Sequence, residues 1–196
     1  DQVVILPRSY SLHYLEQETQ SRHYAMIGMA CVMEDTPLFY DAVNEKGLAI
    51  AGLNFVGNAC YHPHAPGKEN IAQFELIPWL LSQGASVAEA RKRLECMNIL
   101  DTPFRPGLPA AQLHWLIADR ERSLTVESVA EGLMIYENPV GVLTNNPPFP
   151  MQMQNLANYR HLSADPVETT FGPGLSLPQY SRGMGALGLP GDLSSQ

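Results

Sequence analysis

Residues 38–54 read Leu38-Phe39-Tyr40-Asp41-Ala42-Val43-Asn44-Glu45-Lys46-Gly47-Leu48-Ala49-Ile50-Ala51-Gly52-Leu53-Asn54. Two apolar runs, 38–43 and 48–54, flank a polar break ending in Gly47. Glycine takes a positive φ without steric cost, so the stretch predicts a tight antiparallel hairpin. Toward the N-terminus, residues 3–6 form a β-branched run stopped by Pro7, and residues 16–23 are polar loop. Residues 24–33 are almost continuously apolar, which suits a strand covered on both faces, and Thr36-Pro37 is expected to break it. These runs together make an antiparallel meander.

Toward the C-terminus the period changes. From Asn70 to Met97 the apolar residues recur at helical spacing and predict two helices. Phe74, Ile77, Leu80 and Leu81 line the first, with Pro78 tightening it and Gly84 available to end it. Ser86 followed by Glu89 is a capping box that opens the second, whose buried stripe is Ala90, Leu94 and Met97. A second meander is expected at 113–118, 123–129, 133–136 and 140–144, then a third helix over 151–162. Residues 163–196 are rich in Gly and Pro and read as long loop. Sheet, helix pair, sheet and helix describe a single α+β domain, its apolar strands covered by helices or a second sheet.

Composition narrows the function. The chain has 196 residues, 45% apolar, enough for one core. It holds no run near the roughly 20 apolar residues of a membrane-crossing helix, and its mean hydropathy is -0.12. A net charge of -8 disfavours binding that rests on neutralising phosphates, so nucleic acid is a poor partner. Three cysteines cannot all pair within the chain, and their spacing at Cys31, Cys60 and Cys96 matches no zinc pattern, which suits a reducing cytosolic setting. The chain opens inside a strand without an initiator Met and stops in a loop, so both ends read as cut.

Few residues carry chemistry on their own. Cys60, His62 and His64 share a polar loop, but no fourth ligand stands at a recognisable spacing, and a surface loop is the simpler reading. Cys31 and Cys96 read as structural, and His114, inside an apolar strand, reads as a satisfied core histidine. Asn54 and Asn145 each end a predicted strand, where asparagine is a poor residue. Their amides could donate to an oxyanion, or Asn145-Asn146-Pro147 could simply be a turn.

The ordered motifs say more. Residues 41–48 (Asp-Ala-Val-Asn-Glu-Lys-Gly-Leu), 51–55 (Ala-Gly-Leu-Asn-Phe), 113–119 (Leu-His-Trp-Leu-Ile-Ala-Asp) and 141–147 (Gly-Val-Leu-Thr-Asn-Asn-Pro) resemble the choloylglycine hydrolase family, and within it the gut-bacterial bile salt hydrolases. So do 180–185 (Tyr-Ser-Arg-Gly-Met-Gly) and 188–195 (Gly-Leu-Pro-Gly-Asp-Leu-Ser-Ser). The resemblance implies an αββα N-terminal-nucleophile hydrolase sandwich, of which 1–196 is the central part. It implies an enzyme that cleaves the amide of glycine- or taurine-conjugated bile salts through an N-terminal cysteine thioester, with no metal or organic cofactor. The family's cysteine, with an arginine and an aspartate shortly after it, precedes the residue matching Asp1, and its other active-site arginine follows the segment matching 188–195.

By the same resemblance Asn54 and Asn145 match the motif asparagines that hold the oxyanion, and Met33, Tyr40, Phe104, Leu108 and Ala111 match apolar wall positions of the bile-acid pocket. A cytoplasmic homotetramer is implied as well. Two alternatives stand: a penicillin V acylase, disfavoured by Asn54 because those relatives more often carry an aromatic residue there, and a truncated, catalytically dead fragment acting at most as a binding module.

Overall fold

The computed structural model describes residues 1–159 and 173–174. The chain divides into two compact units, Asp1–Phe149 and Pro150–Gln196. In the first, strands β1 (Gln2–Leu6), β2 (Met26–Met33), β3 (Thr36–Asn44) and β4 (Ala49–Asn54) form the first meander. β5 (Glu69–Ala72), a 3-10 turn at Gln73–Glu75, α1 (Leu76–Gln83), α2 (Val87–Leu94) and β6 (Met97–Leu100) follow. β7 (Leu113–Ala118), β8 (Ser123–Val129) and β9 (Gly132–Glu137) complete the sheet, and α3 (Phe149–Asn158) leads into the second unit.

The two meanders are one sheet. β4 pairs antiparallel with β7 from Ala49↔Ala118 to Asn54↔Leu113, giving the order β1-β2-β3-β4-β7-β8-β9. Cross-strand partners share a face. Thus Ile50, Gly52, Trp115, Ile117, Leu124 and Val126 form an inner face, with every side chain there but Gly52 essentially buried. α1 covers this face with Leu76, Leu80 and Leu81. Among the described residues, one large sheet and one helical layer of a sandwich are present. Among the described residues the other face of β1 and β2 stays partly open, with Val3, Ile5, Ile27 and Met29 at 62, 66, 42 and 37% exposed.

Polar side chains fix the joints. Asn44 is buried at the hairpin turn: its Nδ2 donates to the Leu81 and Gly84 carbonyls at 2.8 and 2.7 Å, and its Oδ1 accepts from the Lys46 and Leu48 amides. One side chain thereby satisfies the C-terminal carbonyls of α1 and closes the turn that Gly47, at φ 88°, permits. Ser86 caps α2 by accepting from the Glu89 amide, as its capping box predicts, while the Glu89 carboxylate accepts from Ala85 N–H. Asp119, after β7, accepts from Val87 N–H at 2.8 Å and ties α2 to the sheet.

Three expectations need correction. The β2–β3 turn is Glu34-Asp35, both with positive φ, and Thr36-Pro37 opens β3, where proline is tolerated beside a hairpin end. β5 and β6 are a short parallel pair, buried throughout or nearly so, which shows no alternation and passes for helical spacing. Met97 accordingly lies in β6. Residues 140–144 are not a strand: Asn138 takes their backbone, with Nδ2 donating to the Val142 carbonyl and Oδ1 accepting from Gly141 N–H. The end of the predicted third helix, the long loop at 163–196 and the motifs at 180–185 and 188–195 lie outside the described residues, apart from 173–174.

Candidate active site

The sheet splays where its C-terminal motif residues gather. β3 and β4 pair only from Asp41↔Ala51 to Val43↔Ala49, so Gly52, Leu53 and Asn54 continue beside β7 alone. At this end of β4 the Asn54 backbone N–H donates to Asn145 Oδ1 at 3.1 Å. A backbone N–H can only donate, so the carboxamide oxygen faces β4 and the Nδ2 group lies on the other side of the amide carbon. The Asn54 side chain is exposed at the same point. The Asn145 side chain is thus held at the end of β4, where Asn54 sits.

The next residues bind the surrounding segments together. Phe55 N–H donates to the Gln112 carbonyl at 2.8 Å and Gly57 N–H to Gln112 Oε1, while Asn146 Nδ2 donates to the Val56 carbonyl. Phe55 is fully buried and stacks on His114, with ring centroids 4.3 Å apart. His114 and Glu127 are themselves 0% and 1% exposed, and His114 Nδ1 meets Glu127 Oε1 at 3.1 Å. His114 Nε2 reaches the Thr144 carbonyl at 2.9 Å, and the same Glu127 oxygen accepts from Phe149 N–H at 2.8 Å. His114 is the satisfied core histidine its strand context implied; its partner Glu127 had no counterpart in the sequence reading.

The five wall candidates lie on three elements: Met33 on β2, Tyr40 on β3, and Phe104, Leu108 and Ala111 on the segment between β6 and β7. In that irregular segment Phe104 packs edge-to-face on Phe74 at 5.2 Å. The Tyr61 hydroxyl donates to the Ala111 carbonyl at 2.7 Å and accepts from Leu113 N–H. Burial pushes the Tyr61 hydroxyl pKa up to about 12. Met33 ends β2 at the hairpin tip, which an ion pair between Glu34 and Arg105 joins to the same segment. Tyr40 is the extra residue of a β-bulge, since Met29 pairs with Asp41 and Ala30 with Phe39, and its hydroxyl donates to Asp1 at 2.7 Å.

The loop at Cys60, His62 and His64 is structural in its contacts. Ser128 Oγ donates to the Cys60 carbonyl, His62 bonds the Val129 carbonyl, and His64 bonds Glu16. Among the described residues no cluster of histidine, cysteine or carboxylate side chains is placed to hold a metal ion.

The family profile described as linear amide C–N hydrolases, choloylglycine hydrolase family, matches residues 1–196. The chain belongs to the choloylglycine hydrolase family. It is 53% identical over 195 residues to the bile salt hydrolase/transferase of Lactiplantibacillus plantarum, covering 100% of this chain and 60% of that protein. To the bile salt hydrolase/transferase of Bifidobacterium longum subsp. longum it is 39% identical, covering 98% of this chain and 61% of that one. The chain therefore spans about 60% of the length of these choloylglycine hydrolase relatives.

Among solved structures, a variant of conjugated bile acid hydrolase from Clostridium perfringens superposes with a TM-score of 0.81 at 34% identity, covering 98% of this chain and 60% of that one. Penicillin V acylase from Agrobacterium tumefaciens shares the fold with a TM-score of 0.64 at 23% identity, over 80% of this chain and 48% of that one. The fold is thus that of the N-terminal-nucleophile hydrolases, the αββα sandwich the resemblance implies.

Proposed function

We propose that the full-length protein hydrolyses the amide bond joining a bile acid to glycine or taurine. The observation that carries this reading is the 53% identity, across the whole chain, to a protein named bile salt hydrolase/transferase. A cysteine thiolate at the family's mature N-terminus attacks the amide carbonyl, forming a C–S bond and moving the carbonyl electrons onto oxygen. Asn54 and Asn145 hold that oxyanion with their side-chain amide N–H groups. Collapse breaks the C–N bond, and the amine leaves with the proton taken from the thiol by the α-amino group. Water then attacks the thioester, breaks the C–S bond and releases the free bile acid, so the cycle balances without a metal or organic cofactor.

Met33, Tyr40, Phe104, Leu108 and Ala111 supply the apolar wall that a steroid face requires. The splayed end of β4, with the 101–112 segment pinned to it through Gln112 and Tyr61, supports that placement. In the same reading the protein is a cytoplasmic homotetramer of a gut bacterium, and a native mass from light scattering checks the assembly. The test of function is the hydrolysis rate of the full-length protein on taurocholate, glycocholate and penicillin V. The proposal expects release of taurine or glycine to exceed penicillin V cleavage, and a preference for penicillin V would overturn it.

A further inference from the structure

We propose that the buried His114–Glu127 pair is a positioning device that holds the Asn145 carboxamide in place. The inference rests on the function proposed above, because it assigns these residues a part in setting an oxyanion donor. Asn145 lies on an irregular segment between Leu143 and Phe149, with no strand or helix of its own. The pair grips this segment on both sides of Asn145: His114 Nε2 bonds the Thr144 carbonyl at 2.9 Å, and Glu127 Oε1 accepts from Phe149 N–H at 2.8 Å. Phe55, stacked on the His114 ring at 4.3 Å, fixes the residue after Asn54 on the same imidazole. One ring therefore references both asparagines to the start of β7.

A carbonyl only accepts, so Nε2 carries a proton. With Nε2 protonated, the 3.1 Å contact between Nδ1 and Glu127 Oε1 needs a second proton, shared by the pair. The carboxyl is what lets both grips coexist, since one oxygen accepts from Phe149 N–H while also facing Nδ1. A hydrophobic replacement would fill the volume and leave the Thr144 carbonyl and the Phe149 amide without these partners. Ordinary core packing needs neither residue to be polar. Two polar side chains at 0% and 1% exposure, both bonded to the backbone flanking Asn145, point to orientation rather than bulk stability.

Five variants of the full-length protein test this: His114→Ala, His114→Gln, Glu127→Ala, Asn145→Ala, and His114→Ala combined with Asn145→Ala. On a conjugated bile salt, His114→Ala and Glu127→Ala should each lower kcat by about 10- to 100-fold with KM changed less than about 3-fold, the loss expected for a displaced catalytic group. His114→Gln, which keeps a donor for the Thr144 carbonyl, should recover part of the loss and carries the test where the alanine variants do not fold. Because the pair acts through Asn145, the double variant should fall little below Asn145→Ala alone.

Wild-type kcat in a folded His114→Ala, or multiplicative losses in the double variant, would overturn the proposal. Should the wild type fail to cleave conjugated bile salts, the functional reading fails and the positioning claim is decided by backbone hydrogen exchange over 143–149. Faster exchange there in His114→Ala sustains it and unchanged exchange overturns it.

Discussion

The backbone N–H of Asn54 donates to the side-chain oxygen of Asn145 at 3.1 Å, joining two residues 91 positions apart in the chain. The bond orients the Asn145 carboxamide, because the strand end supplies the N–H and the side-chain oxygen accepts it. β4 can offer that N–H because β3 has parted from it at Ala51. The Asn54–Asn145 bond is thus a consequence of a sheet that stops pairing on one side before its strand ends.

Asn44→Ala should destabilise the fold strongly. It removes two donors to the last carbonyls of α1 and an acceptor for two turn amides in a site 4% exposed. A loss of about 3 kcal/mol is expected from urea unfolding, and a change below 1 kcal/mol would show that water replaces these bonds at little cost.

Gly28→Ala should be harmful for a different reason. A Cβ at Gly28 would collide with the Asp41 carbonyl oxygen and stand 2.6 Å from Ala42 Cβ, directly below the bulge that presents Tyr40. Overpacking of this kind costs about 2–3 kcal/mol, measured as a fall in the urea midpoint with an unchanged slope.

Arg105→Ala should separate binding from stability. The Arg105–Glu34 pair is 3.5 Å long and largely exposed, so its loss should leave thermal stability within about 1 kcal/mol of wild type. It nevertheless joins the Met33 hairpin to the segment of Phe104 and Leu108. On the proposed substrate KM should rise several-fold with kcat nearly unchanged, and an unaltered KM would remove this segment from the binding wall.

Acid stability should depend on Glu45. Its hydrogen bond with Arg8, supported by one from Ala25 N–H, holds its carboxyl pKa down to about 2, below the value near 4.3 expected of an unfolded chain. The unfolded state therefore takes up this proton first as pH falls. The contribution is complete above about 4.5 and is lost progressively toward pH 2. Glu45→Gln should flatten the pH dependence of the unfolding midpoint over that window, and an unchanged profile would contradict it.

What the sequence disclosed follows from how local each signal is. The hairpin at Gly47 and the cap at Ser86 are set by residues a few positions apart, and both stand as expected. β5 and β6 were illegible because a buried parallel pair carries no alternation, and 140–144 has strand composition but gives its backbone to Asn138. The convergence of Asn54 and Asn145 was implied by motif resemblance alone. The His114–Glu127 pair was out of reach for a plainer reason: only the register in which Trp115 faces Val126 brings these residues opposite each other. No spacing within either strand encodes that register.

The most direct test of the account is the turnover of the full-length protein carrying Asn145→Ala, with folding verified, on its preferred conjugated bile salt. Loss of an oxyanion donor predicts kcat reduced on the order of 100-fold or more with KM little changed. Near-wild-type turnover in a folded Asn145→Ala would return this asparagine to a turn residue and contradict the site.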